Sequence, residues 1–137
     1  MKKTLLLIFI FTIMLANSSC TKELQATYKY MDGSANTYIL SKETLEYKPI
    51  DPALSSSGFY DGGEYKKSKI SESDYKKIIA LFNKTIADTS IQIKGQVPKG
   101  SGRIVVEKNN KINSVIIKQN SDKQSQIEQL LNSLLGK

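Results

Sequence analysis

Apolar and polar residues alternate in the first part of the chain beyond residue 23. Residues 24–30 carry an apolar side chain at every second position, the period of a half-buried β-strand. Residues 32–34 (DGS) have turn composition. Residues 37–40 and 44–48 predict two further short strands, and residues 65–70 return to an extended pattern.

Two later segments carry apolar residues at helical spacing, each behind a capping serine. Ser71 with Asp74, and Ser121 with Gln124, are spaced for an N-terminal capping box. The apolar stripes that follow predict two amphipathic helices with their core-facing side chains. These side chains are Tyr75, Ile78, Ile79, Phe82 and Ile86 in the first helix, and Ile127, Leu130, Leu131, Leu134 and Leu135 in the second.

The strongest hairpin pattern lies between the two helices. Residues 103–108 and 111–118 are rich in β-branched side chains and flank Asn109-Asn110, a pair that tolerates positive φ. Residues 90–94 also alternate and predict a short strand. The order strands, helix, strands, helix predicts an α+β domain, with an antiparallel sheet of about five or six strands and both helices packed on one face.

Residues 49–64 (PIDPALSSSGFYDGGE) interrupt this pattern. Two prolines, three serines and three glycines predict a loop without a regular element. Loops of this length are uncommon in compact domains and are often functional or disordered. Phe59, Tyr60 and Asp61 lie among residues that give the backbone freedom, so we select these three as candidate partner-binding residues, the alternative being that an aromatic ring folds back onto the core edge.

The N-terminal segment has the layout of a secretory signal. Lys2 and Lys3 precede an apolar run over residues 5–16, and small polar residues then lead to Cys20. The run corresponds to about 18 Å of helix, too short for a bilayer core of about 30 Å. This segment resembles the N-terminus of bacterial lipoprotein precursors, although Asn17 and Ser19 differ from the usual residues before the cysteine.

The resemblance implies a processed and lipid-modified N-terminus. Residues 1–19 would be the removed signal, Cys20 the lipidation site, residues 20–23 a short tether and residues 24–137 a single domain. Two or three acyl chains hold a protein firmly on a membrane. We expect an exported protein anchored in the bacterial envelope, and we favour the outer membrane or cell surface over the inner membrane.

The amino-acid composition limits the catalytic groups and covalent cross-links that the chain can form. The chain has no histidine and one cysteine, so histidine-based triads have no base and an intrachain disulfide has no second thiol. Without the signal, 18 basic and 13 acidic side chains leave a net charge of +5, which is typical of a solvated surface or of attraction to anionic lipid or polysaccharide. We expect no cofactor, no metal site and no nucleic-acid partner.

Several weaker candidates for chemistry remain. Asp61 and Glu64 fit a calcium site only if further oxygen ligands complete it. Asp51, Asp61 and Glu64 fit a glycosidase pair only if one of them meets another acid in space. A Ser–Lys nucleophile pair has candidates by residue type alone. Residues 99–103 (KGSGR) are reminiscent of a phosphate-binding loop but lead into a predicted strand, which favours a plain connection. The serine candidates are Ser55, Ser56, Ser57 and Ser101.

These observations predict a small, membrane-anchored envelope lipoprotein that binds a partner and is not an enzyme. Its partner would be an envelope protein or a glycan, bound by the 53–64 loop and an exposed sheet face. One alternative is an inhibitor or accessory subunit of an exported enzyme, with the same loop inserted into a cleft. Another is a hydrolase that uses carboxylates or a Ser–Lys pair. The oligomeric state is not indicated by the sequence.

Overall fold

A computed structural model of the chain describes residues 26–60 and 62–136. These residues form a six-stranded antiparallel sheet and two α-helices, which confirms the predicted α+β class. The strands are β1 (Thr27–Met31), β2 (Thr37–Leu40), β3 (Thr44–Lys48), β4 (Lys66–Lys69), β5 (Gly102–Lys108) and β6 (Lys111–Ile117), and the helices are α1 (Glu72–Ala87) and α2 (Asp122–Leu134).

The strand order across the sheet is β4-β3-β2-β1-β5-β6. The first four strands form a meander, and the β5–β6 hairpin then joins the free edge of β1 after α1. Thr27, at the start of β1, lies opposite Glu107, whereas Met31 at its end lies opposite Thr37 of β2 and Arg103 of β5. The sheet therefore has two distinct ends, one where β1 begins and one where β1 ends.

Both helices pack on the same face of the sheet, as the apolar stripes predicted. The ring centroid of Phe82 in α1 lies 6.3 Å from that of Tyr30, and the hydroxyl of Tyr30 also reaches α2. The core is packed without tryptophan and without an intrachain disulfide, since the chain has no tryptophan and one cysteine. Its buried side chains are Tyr30, Tyr38, Leu40, Leu45, Tyr47, Ile78, Phe82, Ile104, Ile117, Ile127, Leu131 and Leu135.

Local signals placed most elements correctly. Ser71 Oγ accepts from the amide of Asp74 (3.0 Å) and Ser121 Oγ from that of Gln124 (3.3 Å), so both predicted caps are confirmed. Asn109 and Asn110 form the hairpin turn with φ of 52° and 58°.

Two predictions about local structure are wrong. Residues 90–94 form no strand: Thr89–Ile91 is a 3₁₀ turn begun by the Asp88 side chain, and only Gln92 forms a β-bridge, to Ile117. The 49–64 loop contains one regular element, the 3₁₀ turn Pro52–Leu54, because Asp51 caps the amide of Ala53.

Some predictions lie outside the described residues. These are the signal, Cys20, the tether, the start of the first predicted strand, and Asp61. Across residues 26–60 and 62–136, no helix has both the length and the apolar composition needed to span a membrane.

Candidate functional site

The 49–64 loop lies at the end of the sheet opposite the start of β1. It follows Lys48, which pairs with Thr37, the first residue of β2. It returns to the sheet at Lys66, opposite Tyr47. The turn between β1 and β2 lies at this same end, because it connects Met31 to Thr37. We call this the loop end of the sheet.

Asn36 fixes the loop to the β1–β2 turn. Its side chain is 2% exposed, and its amide nitrogen donates to the Tyr60 hydroxyl (3.0 Å) and to Asp32 Oδ2 (2.8 Å). Its amide oxygen accepts from the backbone N–H of Ile50 (3.0 Å). One buried polar side chain thereby satisfies its hydrogen bonds by joining both halves of the loop to the turn.

Two further hydrogen bonds hold the loop, one at Gly62 and one at Ser56. The Tyr47 hydroxyl donates to the carbonyl of Gly62, whose φ is +62°. A Cβ at Gly62 would lie 2.2 Å from Asn36 Oδ1, so the position needs glycine for both its backbone conformation and its space. The Lys99 ammonium donates to Ser56 Oγ at 3.0 Å.

A recess of about 480 Å³ lies between the loop and the β1–β2 turn. Six of its ten lining residues are glycine, alanine or serine, and Tyr60 and Lys99 add larger polar side chains. The lining residues are Gly33, Ser34, Ala35, Ile50, Leu54, Ser55, Ser56, Ser57, Tyr60 and Lys99.

The two described candidate residues of the loop differ in their environments. Tyr60 is 43% exposed and folds back through its hydroxyl onto Asn36. Phe59 is 92% exposed and projects from the loop, and Leu54, at 78%, is the second large apolar side chain exposed there. Asp61, the third candidate, lies outside the described residues.

Asp51 and three of the four candidate serines, Ser55, Ser56 and Ser57, make structural hydrogen bonds. Asp51 caps the 3₁₀ turn and is exposed, as is Glu64. The structure does bring Ser56 to Lys99, but a lysine base needs a desolvated site and both of these residues are exposed. Within the described part of the chain, no three His, Cys, Asp or Glu side chains converge as metal ligands would.

The glycine-rich segment before β5 is a connection, as its sequence context indicated. Ser101 closes a turn by donating its N–H to Pro98, and Gly102 begins β5. A Cβ on Gly33 would lie 2.3 Å from the Gly100 carbonyl, so the β1–β2 turn packs directly on this backbone. The Ser101 hydroxyl is buried and has no hydrogen-bond partner within the described structure.

A polar cluster between α2 and the sheet was not predicted. The Tyr30 hydroxyl donates to Glu128 Oε1 (2.8 Å), which also accepts from Gln124 (3.1 Å), and the Tyr38 hydroxyl donates to Asn132 (2.9 Å). Burial, reinforced by nearby acidic groups, raises the pKa of both tyrosines above the usual range. The spacing of four between Gln124, Glu128 and Asn132 was the available signal, since it places these side chains along one side of α2.

Comparisons of this chain with protein-family models, with curated proteins and with solved structures found no match. The geometry of the loop and the N-terminal sequence are therefore the features that bear on function.

Proposed function

We propose that this chain is an exported, lipid-anchored envelope protein whose domain binds a partner through the 49–64 loop and catalyses no reaction. The observation that carries the proposal is the 92% exposure of Phe59 on a loop that Asn36 and Tyr47 hold in place. A large aromatic side chain kept in water by a fixed loop leaves apolar area available for a partner to bury.

The fixed loop makes such binding favourable in two ways. Burying a phenylalanine side chain stabilises a complex by roughly 1.5–3 kcal/mol. A loop already held by the Asn36, Tyr47 and Lys99 hydrogen bonds loses little conformational entropy when a partner binds.

The side chains favour a protein partner over a glycan. Leu54 and Phe59 offer aliphatic and aromatic area together, which suits an apolar depression on a protein surface. Lys99 and the serines of the recess add hydrogen-bond donors and acceptors beside that area. The partner we propose is an envelope protein with an apolar depression and polar or acidic groups at its rim.

The same projecting loop supports a second candidate, an inhibitor or accessory subunit of an exported enzyme. Phe59 would then occupy a substrate cleft, and the partner's activity would change when the complex forms. Assays of a captured partner with and without this protein would separate that role from simple attachment.

The test is affinity capture of the membrane-anchored protein from its own envelope with Phe59→Ala. The matched control is Val97→Ala, because Val97 is an exposed apolar side chain (43%) in the connection before β5, outside the 49–64 loop and outside the β5–β6 hairpin. We expect the Phe59 variant to lose the specific partner, with affinity reduced roughly 10-fold or more, while the control retains it. Recovery of the same partners by both variants would refute the role of the loop.

A further inference from the structure

We propose that the end of the sheet where β1 begins lies against an anionic bilayer surface, with the tip of the β5–β6 hairpin, residues 108–112, as the contact. This inference rests on the proposed lipid attachment at Cys20. It fixes the orientation of the anchored domain, and it places the 49–64 loop on the side facing away from the membrane.

The register of the sheet brings the hairpin tip next to the entry of the anchor. Thr27 pairs with Glu107, and Lys108 and Lys111 pair one residue beyond it. Cys20 precedes Thr27 by seven residues, which span at most about 24 Å when fully extended. A lipid on Cys20 therefore keeps the membrane surface within reach of the hairpin tip.

The tip carries the charge and apolar character that an anionic membrane surface attracts. Lys108 and Lys111 are exposed and directly opposite each other, an arrangement of like charges that is unfavourable until an anion lies between them. Each lysine near an anionic bilayer strengthens binding roughly 5-fold. Ile112 is 70% exposed and lines a groove of about 670 Å³ that also contains Ile86 and Val106.

The neighbouring charges agree with this orientation. Glu107 and Lys108 are adjacent in β5, so their side chains alternate between opposite faces of the sheet. The turn between β2 and β3 lies at the same end and contributes Lys42 and Glu43, both exposed. The start of α1 also lies at this end, and its Glu72 and Asp74 form ion pairs with Lys76 (2.6 Å) and Lys77 (3.2 Å). With these acids offset, the lysines of the hairpin tip leave an excess of positive charge.

The test measures the distance of each end of the sheet from the bilayer in the lipidated, mature protein. Because Cys20 is the only cysteine and lipid would occupy its sulfur, Asn113→Cys and Ser34→Cys each introduce one free thiol for a fluorophore. Asn113 lies beside the tip, and Ser34 lies in the β1–β2 turn at the loop end. The protein is reconstituted in vesicles of phosphatidylcholine and phosphatidylglycerol that contain a lipid with a nitroxide-labelled headgroup.

We expect quenching at residue 113 to be several-fold stronger than at residue 34. Lys108→Gln with Lys111→Gln should weaken the surface contact on the order of 25-fold and remove that difference. Lys48→Gln with Lys94→Gln is the matched control, because these exposed lysines lie towards the loop end, and it should leave the difference intact. Equal quenching at the two labels, or quenching insensitive to the hairpin substitutions, would overturn the orientation.

The mass of each preparation separates this inference from the proposed function. A chain that carries lipid but shows equal quenching overturns the orientation and leaves the anchor in place. A chain that carries no lipid, reacts with the fluorophore at Cys20 and does not float with the vesicles overturns both.

Discussion

Tyr30 shows how a single residue connects the layers of this fold. Its ring is fully buried between the sheet and α1, and its hydroxyl donates to Glu128 of α2. Gly102 of β5 packs against it, since a Cβ there would lie 2.6 Å from the hydroxyl oxygen. A buried hydroxyl is tolerated at this position because its donor is satisfied by a carboxylate.

Replacing Tyr30 by phenylalanine should therefore lower the free energy of unfolding. The variant loses the hydrogen bond to Glu128 and leaves that side chain with one partner fewer, which costs about 1–3 kcal/mol. Tyr28→Phe is the matched control, because Tyr28 is only half-buried in the same strand and should change stability by less than about 0.5 kcal/mol. Urea unfolding of both variants measures the difference, and equal losses would contradict the role assigned to the Glu128 contact.

The same tyrosines predict a loss of stability at alkaline pH. Burial raises the pKa of Tyr30 and Tyr38 in the folded state, whereas the unfolded chain ionises near the ordinary value of 10. Their contribution is complete below pH 10 and is lost as the pH rises above it, because only the unfolded chain releases these protons. Unfolding measured at about pH 9 and about pH 11 should show a smaller decrease for Tyr30→Phe than for the unmodified chain. An identical pH dependence would contradict this account.

At the scale of the elements, the helix starts depend on local side chains. Ser71 accepts from the amide of Asp74, and the Asp74 carboxylate accepts in return from the Ser71 hydroxyl at 2.6 Å. The Ser71 hydrogen bond, followed by that from Lys77, lowers the pKa of the Asp74 carboxyl. The negative charge thus remains at the N-terminus of α1, where the helix dipole favours it.

Ser71→Ala should reduce stability by about 1 kcal/mol through loss of this cap. Ser73→Ala, two residues along the same helix, should be neutral or slightly stabilising, since alanine has the higher helix propensity. Thermal or denaturant unfolding distinguishes the two variants by the sign of the change. A Ser71 variant as stable as the Ser73 variant would show that the cap contributes nothing.

Elements with a strong local pattern could be predicted from the sequence, and those decided by distant contacts could not. The strands at 37–40 and 44–48 and the hairpin turn at Asn109-Asn110 match the predictions because alternation and turn chemistry specify them. Residues 90–94 have the same alternation, but the Asp88 cap bends them into a 3₁₀ turn and leaves a single bridge to β6.

The candidate site could also be predicted only in part, because its fixing contacts join distant residues. Composition selected the 49–64 loop and its aromatic residues, and the structure shows Phe59 projecting from it. The contacts that fix the loop join residues far apart in sequence, such as Lys99 to Ser56 and Asn36 to Tyr60. Such pairs depend on the order of strands in the sheet, and no local pattern specifies them.

At the scale of the whole molecule, the sheet separates the start of β1 from the 49–64 loop. The chain enters the domain at the start of β1, and the 49–64 loop leaves the sheet at the other end. An anchor at Cys20 and a binding loop at the loop end would then lie on opposite sides of one rigid core. This arrangement explains how a domain on a very short tether could still present its exposed aromatic residue to a partner.

The most direct test of this account is the mass of the N-terminal peptide of the protein isolated from its own membranes. We expect a chain that begins at Cys20, whose sulfur carries diacylglycerol, and Cys20→Ser should release the protein from the membrane fraction or stall its maturation. A peptide that retains residues 1–19, or one with an unmodified Cys20 thiol, would rule out the lipid anchor.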